Sequence, residues 1–207
     1  MVRSAAQTPE GQPALCDVIA IAASAGGLAA LSVVLSDLKP DLPAAVLVVQ
    51  HMDPQHPSHL VEIMGRRVSL QVKQATQHER IKRGTVYFAV PNRHLLVDPD
   101  GRLSLTDTPA AHFVRPAADL LFESVAKSCG ARGMVVILSG SGTDGADGAT
   151  AVKKAGGTVI VQDQETAEFF SMPRAAIETG SVDQILPLAD IAAAIMRCLE
   201  ELDGSPR

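Results

Sequence analysis

Apolar runs and small polar breaks alternate along this chain with two distinct periods. Residues 17–23, apolar throughout after Asp17, and 44–49 are runs of the kind expected of parallel strands covered on both faces. Between them Leu28, Leu31, Val34 and Leu35 recur at helical spacing, and that pattern stops at Lys39-Pro40, where a proline cannot continue a helix. Pro57-Ser58-His59-Leu60 opens a second helix that reaches to about Gly65. The middle of the chain changes character. Short strand-like runs at 69–74, 85–90, 94–98 and 102–106 are separated by Gly84, Pro91-Asn92 and Pro99-Asp100-Gly101, and Asp-Gly favours a hairpin. These four runs read together as an antiparallel excursion.

Regular alternation returns after Arg115-Pro116. A helix carries Ala118, Leu121, Val125 and Ala126, followed by a strand at 134–138, a helix at 146–155 and a strand at 157–161. Helices at 172–178, with Pro173 in its first turn, and at 188–199 close the chain. Repeated strand–helix units predict an α/β fold: a doubly wound, mostly parallel sheet flanked by helices, with an antiparallel hairpin excursion in the middle. Residues 1–15 are polar and proline-containing and read as a flexible leader, and 16–203 as one domain.

Composition narrows the function classes. A hydrophobic fraction of 46% with 20% charged residues predicts a large buried core, and at 3% aromatics aliphatic side chains must fill it. The net charge of −5 gives no basic footprint for nucleic acid. Cys16, Cys129 and Cys198 are odd in number and form no CxxC pair, which argues against a disulfide framework or zinc knuckle and fits a reducing cytoplasm. No apolar run approaches the roughly 18 residues of a membrane span, so a soluble cytoplasmic protein without membrane insertion is expected.

The chemistry concentrates where strands end. Ser24 follows the first strand, His51 the second, and Asp144 follows the strand at 134–138. Open parallel sheets place functional groups at that edge, so the three would emerge together. A serine hydroxyl needs a base to become a nucleophile near neutral pH. Imidazole is one, and a carboxylate on its second nitrogen fixes the tautomer and stabilises the cation. Gly26 and Gly27 permit a sharp turn and a close backbone approach, and the helix after them points free N–H groups at the same place. Taken singly, Ser24 also suits a turn former and Asp144 an N-cap for the helix after it. Rival motifs are incomplete: 23–28 lacks the GxGxxG fingerprint, and no GK[ST] follows Gly140-Ser-Gly-Thr-Asp-Gly. His51, His56 and His59 have no defined metal spacing, and His78, His94 and His112 read as surface or hairpin residues, so no metal and no cofactor are expected.

Several ordered segments together resemble the catalytic domain of the chemotaxis protein-glutamate methylesterases, the CheB family. Ile21-Ala-Ala-Ser-Ala-Gly-Gly resembles its Ile-Gly-x-Ser-Thr-Gly-Gly turn, and Val49-Gln50-His51-Met52 its Gln-His-Met segment. Gly84-Thr-Val-Tyr-Phe-Ala-Val-Pro with His94, Arg115-Pro116-x-x-Asp119, Ile137-Leu-Ser-Gly-Ser-Gly-Thr-Asp-Gly, Gln162-Asp163 and Met172-Pro173-Arg174-Ala175 extend the likeness over about residues 17–199. The resemblance implies Ser24 as nucleophile, His51 as base and Asp144 as its partner. Ala25, Gly26, Gly27, Ser141 and Met172 would line the reacting centre. It further implies hydrolysis of glutamate γ-methyl esters on chemoreceptor helices, with glutamine deamidation as a companion reaction. Ala25 stands where the family pattern has Thr, Ser141 where it has Met, Ser171 where it has Gly and Ala117 where it has Ser. An oxyanion hole here would therefore use backbone N–H groups, those of Ala25 and Ser141. A module that binds receptor or anion without efficient catalysis is the alternative. Fewer than twenty residues precede the first strand, so the family's phospho-receiver domain is expected to be absent from this sequence, either by truncation or because a stand-alone esterase is regulated differently, with a separate regulatory partner in place of the receiver.

Overall fold

The computed structural model describes residues 17–51, 59–109 and 114–204, so the sequence-predicted leader lies outside the described residues. Continuous apolar runs become central strands because both of their faces are covered. β1 (Asp17–Ala23) is buried at every position and lies between β2 (Ala44–Gln50) and β7 (Gly133–Ile137), parallel to both. Outside β2 come β4 (Thr85–Phe88) and then β3 (Gln71–Gln74); outside β7 come β8 (Thr158–Gln162) and β9 (Gln184–Leu186). All seven strands are parallel, in the order β3-β4-β2-β1-β7-β8-β9.

The alternation of side chains along β1 divides two cores. Ile19, Ile21 and Ala23 face α1 (Gly27–Asp37) and α6 (Leu188–Gly204), packing with Leu31, Val34, Leu35, Ile191 and Ile195. Val18, Ala20 and Ala22 face the other layer, which contains α3 (Ala118–Cys129), α4 (Ala146–Lys154) and α5 (Ser171–Glu178), through Leu121, Phe122, Val125, Val152 and Ala176. Each fully buried Leu, Ile, Val or Phe contributes about 1.5–3 kcal/mol. The short α2 (Leu60–Gly65) sends Leu60 and Met64 into the first core.

The middle segment differs from its sequence reading. Only β5 (His94–Val97) and β6 (Leu103–Thr106) form an antiparallel hairpin, around the expected turn at Pro99-Asp100-Gly101. β3 and β4, expected in the same excursion, instead continue the parallel sheet. Residues 75–84 carry the chain between them without a helix. That crossover bonds to the hairpin, His78 N–H donating to Leu103 O at 2.8 Å and Ile81 N–H to Gly101 O at 3.0 Å. β9 is a further correction, since three residues at the sheet edge carry too short a pattern to predict.

Candidate active site

Pairing in the centre of the sheet runs one residue past the end of β1 on both sides. His51 N–H donates to Ala23 O at 2.9 Å, and Ser24 N–H donates to Ser139 O at 3.0 Å. Ser24, His51 and Ser139 thus leave the sheet at one level, at its carboxyl edge. There the chain reverses its winding, going from β1 to β2 on one side and returning through β7 on the other, which in open α/β sheets opens a crevice.

The turn after β1 is tied down through its carbonyls. Ser24 O accepts from Gly27 N–H at 2.8 Å and from Gln50 Nε2 at 2.9 Å, and the same Gln50 amide donates to His51 O at 3.0 Å. Ala25 O accepts from Ser139 Oγ at 2.8 Å. Gly26 has φ of +72°, a left-handed conformation that strains any residue with a β-carbon, and α1 begins directly after it. Among the described residues the N–H groups of Ala25 and Ser141 donate no hydrogen bond. Ser141 lies on an exposed loop pinned on either side, with Gly140 N–H on Phe169 O at 2.9 Å and Gly142 N–H on Ser171 Oγ at 3.2 Å. Met172 is buried below this loop, and a β-carbon built on Gly140 would collide with its Sδ and lie 2.9 Å from Ser24 Cβ. Ser24 and Met172 therefore flank the Gly140 backbone.

His51 and Asp144 meet directly. His51 Nε2 lies 2.8 Å from Asp144 Oδ2, and both side chains are almost wholly buried, at 11% and 4% exposure. The carboxylate also accepts from Ala118 N–H at 2.6 Å and from Asp119 N–H at 2.9 Å. Burial pushes the Asp144 carboxyl up, but the His51 hydrogen bond and the two amides outweigh it and hold it below its ordinary value of 3.8. It is ionised at neutral pH. With Nε2 engaged by a carboxylate, the neutral imidazole carries its proton on Nε2 and leaves Nδ1 as the basic nitrogen. No hydrogen bond joins Ser24 Oγ to His51 among the described residues. The two residues follow directly on the paired positions Ala23 and Gln50, and hydrogen bonds of this kind are often long before substrate binds.

Asp144 departs from its sequence reading in one respect. The role that suits it taken singly, a cap for the helix after it, is not the one it has: α4 has Gly145 at its N-cap and no side-chain bond from that residue. Asp144 instead binds the first turn of the earlier helix α3, whose own N-cap, Ala117, has no side chain able to do so. His94 sits in the hairpin as expected yet is fully buried, with Nδ1 accepting from Ala117 N–H at 3.1 Å and Nε2 at 3.2 Å from Pro109 O. His78 is exposed; His56 and His112 lie outside the described residues. His59 is on the surface beside Glu62.

Three further polar residues of these motifs hold the site's backbone in place. Gln50 bridges the two strand ends, Gln162 Oε1 accepts Ser139 N–H at 2.8 Å, and Asp119 binds the loop after Asp144. Gln50 and Gln162 each end an apolar strand run, and that single polar residue at the carboxyl edge was the available signal. Beside the site a recess of about 170 Å³ is lined by Gln50, Phe88, Pro91, Asn92 and Arg115, among others.

Comparison with known proteins agrees with this architecture. A family model described as CheB methylesterase matches residues 19–195. The chain is 40% identical over 184 residues to a protein-glutamate methylesterase/protein-glutamine glutaminase of Symbiobacterium thermophilum, covering 89% of this chain and 51% of that protein. It is 37% identical over 181 residues to a putative protein of the same name from Leptospira interrogans, covering 87% of this chain and 94% of that one. The chain thus spans about half the length of the first curated relatives it matches, and nearly all of the shorter one. The crystal structure of the Thermotoga maritima CheB methylesterase catalytic domain superposes with a TM-score of 0.84 at 34% identity, over 88% of this chain and 98% of that one. On the family match, the relatives and the superposition together, the chain belongs to the CheB methylesterase family.

Proposed function

We propose that residues 16–203 form a catalytic unit that hydrolyses the γ-methyl ester of glutamate side chains on the cytoplasmic helices of chemoreceptors. One observation carries this reading: a histidine at a strand end next to Ser24, with Nε2 held at 2.8 Å by a buried, ionised aspartate. The names of the relatives support the reaction class.

The chemistry follows from the donors and acceptors present. His51 Nδ1 takes the proton of Ser24 as Oγ attacks the ester carbonyl carbon. Asp144 stabilises the resulting imidazolium. The oxyanion lies between the N–H groups of Ala25 and Ser141, which donate no hydrogen bond among the described residues, and removal of one such donor typically costs ~10²–10³ in turnover. The tetrahedral centre collapses, methanol leaves with the proton from Nδ1, and a glutamyl ester of Ser24 remains. Water, deprotonated by the same nitrogen, then releases the glutamate and restores Ser24. With a glutamine side chain the same steps expel ammonia. Every proton transfer is served by these side chains. A chemoreceptor substrate puts the work in the cytoplasm, where the free thiols of Cys129 and Cys198 are stable. No helix among the described residues is long and apolar enough to cross a membrane.

The test is methanol release from methylated receptor membranes. Ser24→Ala is expected to lower turnover by about 10³-fold or more while leaving the fold intact. Turnover retained in the variant overturns the assignment of Ser24. A serine-reactive phosphonate should label Ser24 stoichiometrically; a folded protein that takes no label would be a binding module on this fold.

A further inference from the structure

Asp144 can serve His51 only if its carboxylate stays in one place, and the backbone that follows it is held by a second carboxylate. Asp119, in the first turn of α3, is 4% exposed. Its Oδ1 accepts the N–H of Gly145 at 2.9 Å and that of Gly148 at 2.8 Å. In return Asp144 accepts the N–H of Ala118 and of Asp119. Neither α3 nor α4 is capped by the side chain of its own N-cap residue, and each receives a carboxylate from the other's starting segment.

The exchange depends on close approach. A β-carbon on Gly148 would lie 2.5 Å from Phe122 Cβ and 3.0 Å from both Cα and O of Asp119, so only glycine lets α4 come this near to α3. Gly145 and Gly148 are buried, so water cannot take over from the lost acceptor, and the residue freed is the one bonded to Asp144.

We propose that Asp119 is a positioning residue for the ester hydrolysis: by accepting the Gly145 and Gly148 amides it fixes the Asp144 carboxylate on His51 Nε2. This rests on the reading of Ser24, His51 and Asp144 as a triad. Asp119 touches neither His51 nor substrate in this account, and its whole effect on the rate passes through Asp144.

That last property sets the experiment, methanol release by the wild type, Asp119→Ala, Asp119→Asn, Gly148→Ala, Asp144→Asn and the double variant Asp119→Ala/Asp144→Asn. Asp119→Ala and Gly148→Ala should each lower kcat by roughly 10²-fold, the penalty of a misplaced catalytic group, with KM within about twofold. Asp119→Asn keeps an oxygen for both N–H groups and should recover most of the rate. In the Asp144→Asn background, Asp119→Ala should change kcat by less than about twofold, because groups that act as a unit are not additive. A merely structural role predicts the reverse, with the same fold-loss in both backgrounds. That additivity, or a wild-type kcat in Asp119→Ala, overturns the proposal while leaving the triad standing. Should Asp119→Ala fail to fold, Gly148→Ala combined with Asp144→Asn decides by the same rule. A wild type without activity, or an Asp144→Asn variant with full activity, overturns the triad and this proposal with it.

Discussion

At the scale of single residues, the most informative group is Asp144. It accepts hydrogen bonds from His51 and from two amides while nearly buried, and its carboxyl lies below the ordinary 3.8. As pH falls, the unfolded chain therefore binds this proton before the folded one. The stability contributed by Asp144 is complete above the ordinary value and is lost as pH drops through the depressed one. Asp144→Asn should destabilise the protein by about 1–3 kcal/mol at pH 7. The variant should also show a shallower loss of stability than wild type between about pH 5 and pH 1, read from urea denaturation at stepped pH. Equal slopes would mean that the pairing is absent in solution. The residue's type and its place after a strand are legible in sequence. Its capping of α3 is not, because the amides it binds are 26 and 25 positions earlier in the chain and no local pattern reaches them.

At the scale of elements, periodicity located most helices and strands, and errors arose where a decision depended on pairing partners. The runs that became β3 and β4 are short and set off by turn residues, as hairpin strands are, yet they join the parallel sheet through a crossover that no helical pattern announces. Packing between elements is more predictable. Phe122 is fully buried where α3 meets α4, and Gly148 leaves room for its Cβ. Phe122→Ala is expected to destabilise the fold by about 3–5 kcal/mol, combining lost transfer energy with the cavity left behind. Chemical denaturation checks this, and a loss below about 1 kcal/mol would show that the two helices do not depend on that contact.

At the scale of the whole molecule, stability should be graded from the centre of the sheet outward. β1 is buried on both faces and hydrogen-bonded on both sides, whereas β3 and β9 are edges, and Ile185 on β9 is 49% exposed. Hydrogen exchange should be slowest at Ile19, Ala20 and Ile21 and faster by orders of magnitude at Gln184–Leu186. Uniform protection would contradict a graded core. The same gradient puts the proposed nucleophile and base where the framework is most rigid, since Ser24 and His51 leave from β1 and from β2 beside it. The sequence alone determined the α/β alternation, the central strands and the reactive vocabulary at their ends, because burial on two faces and a turn after a strand are local demands written in consecutive residues. The tertiary structure alone decided that β3 and β4 run parallel, that Asp144 and Asp119 exchange helix caps, and that the Gln50 amide ties the two strand ends. Those features depend on hydrogen bonds and close approaches between segments far apart in the chain, whose energies exist only once the sheet has assembled.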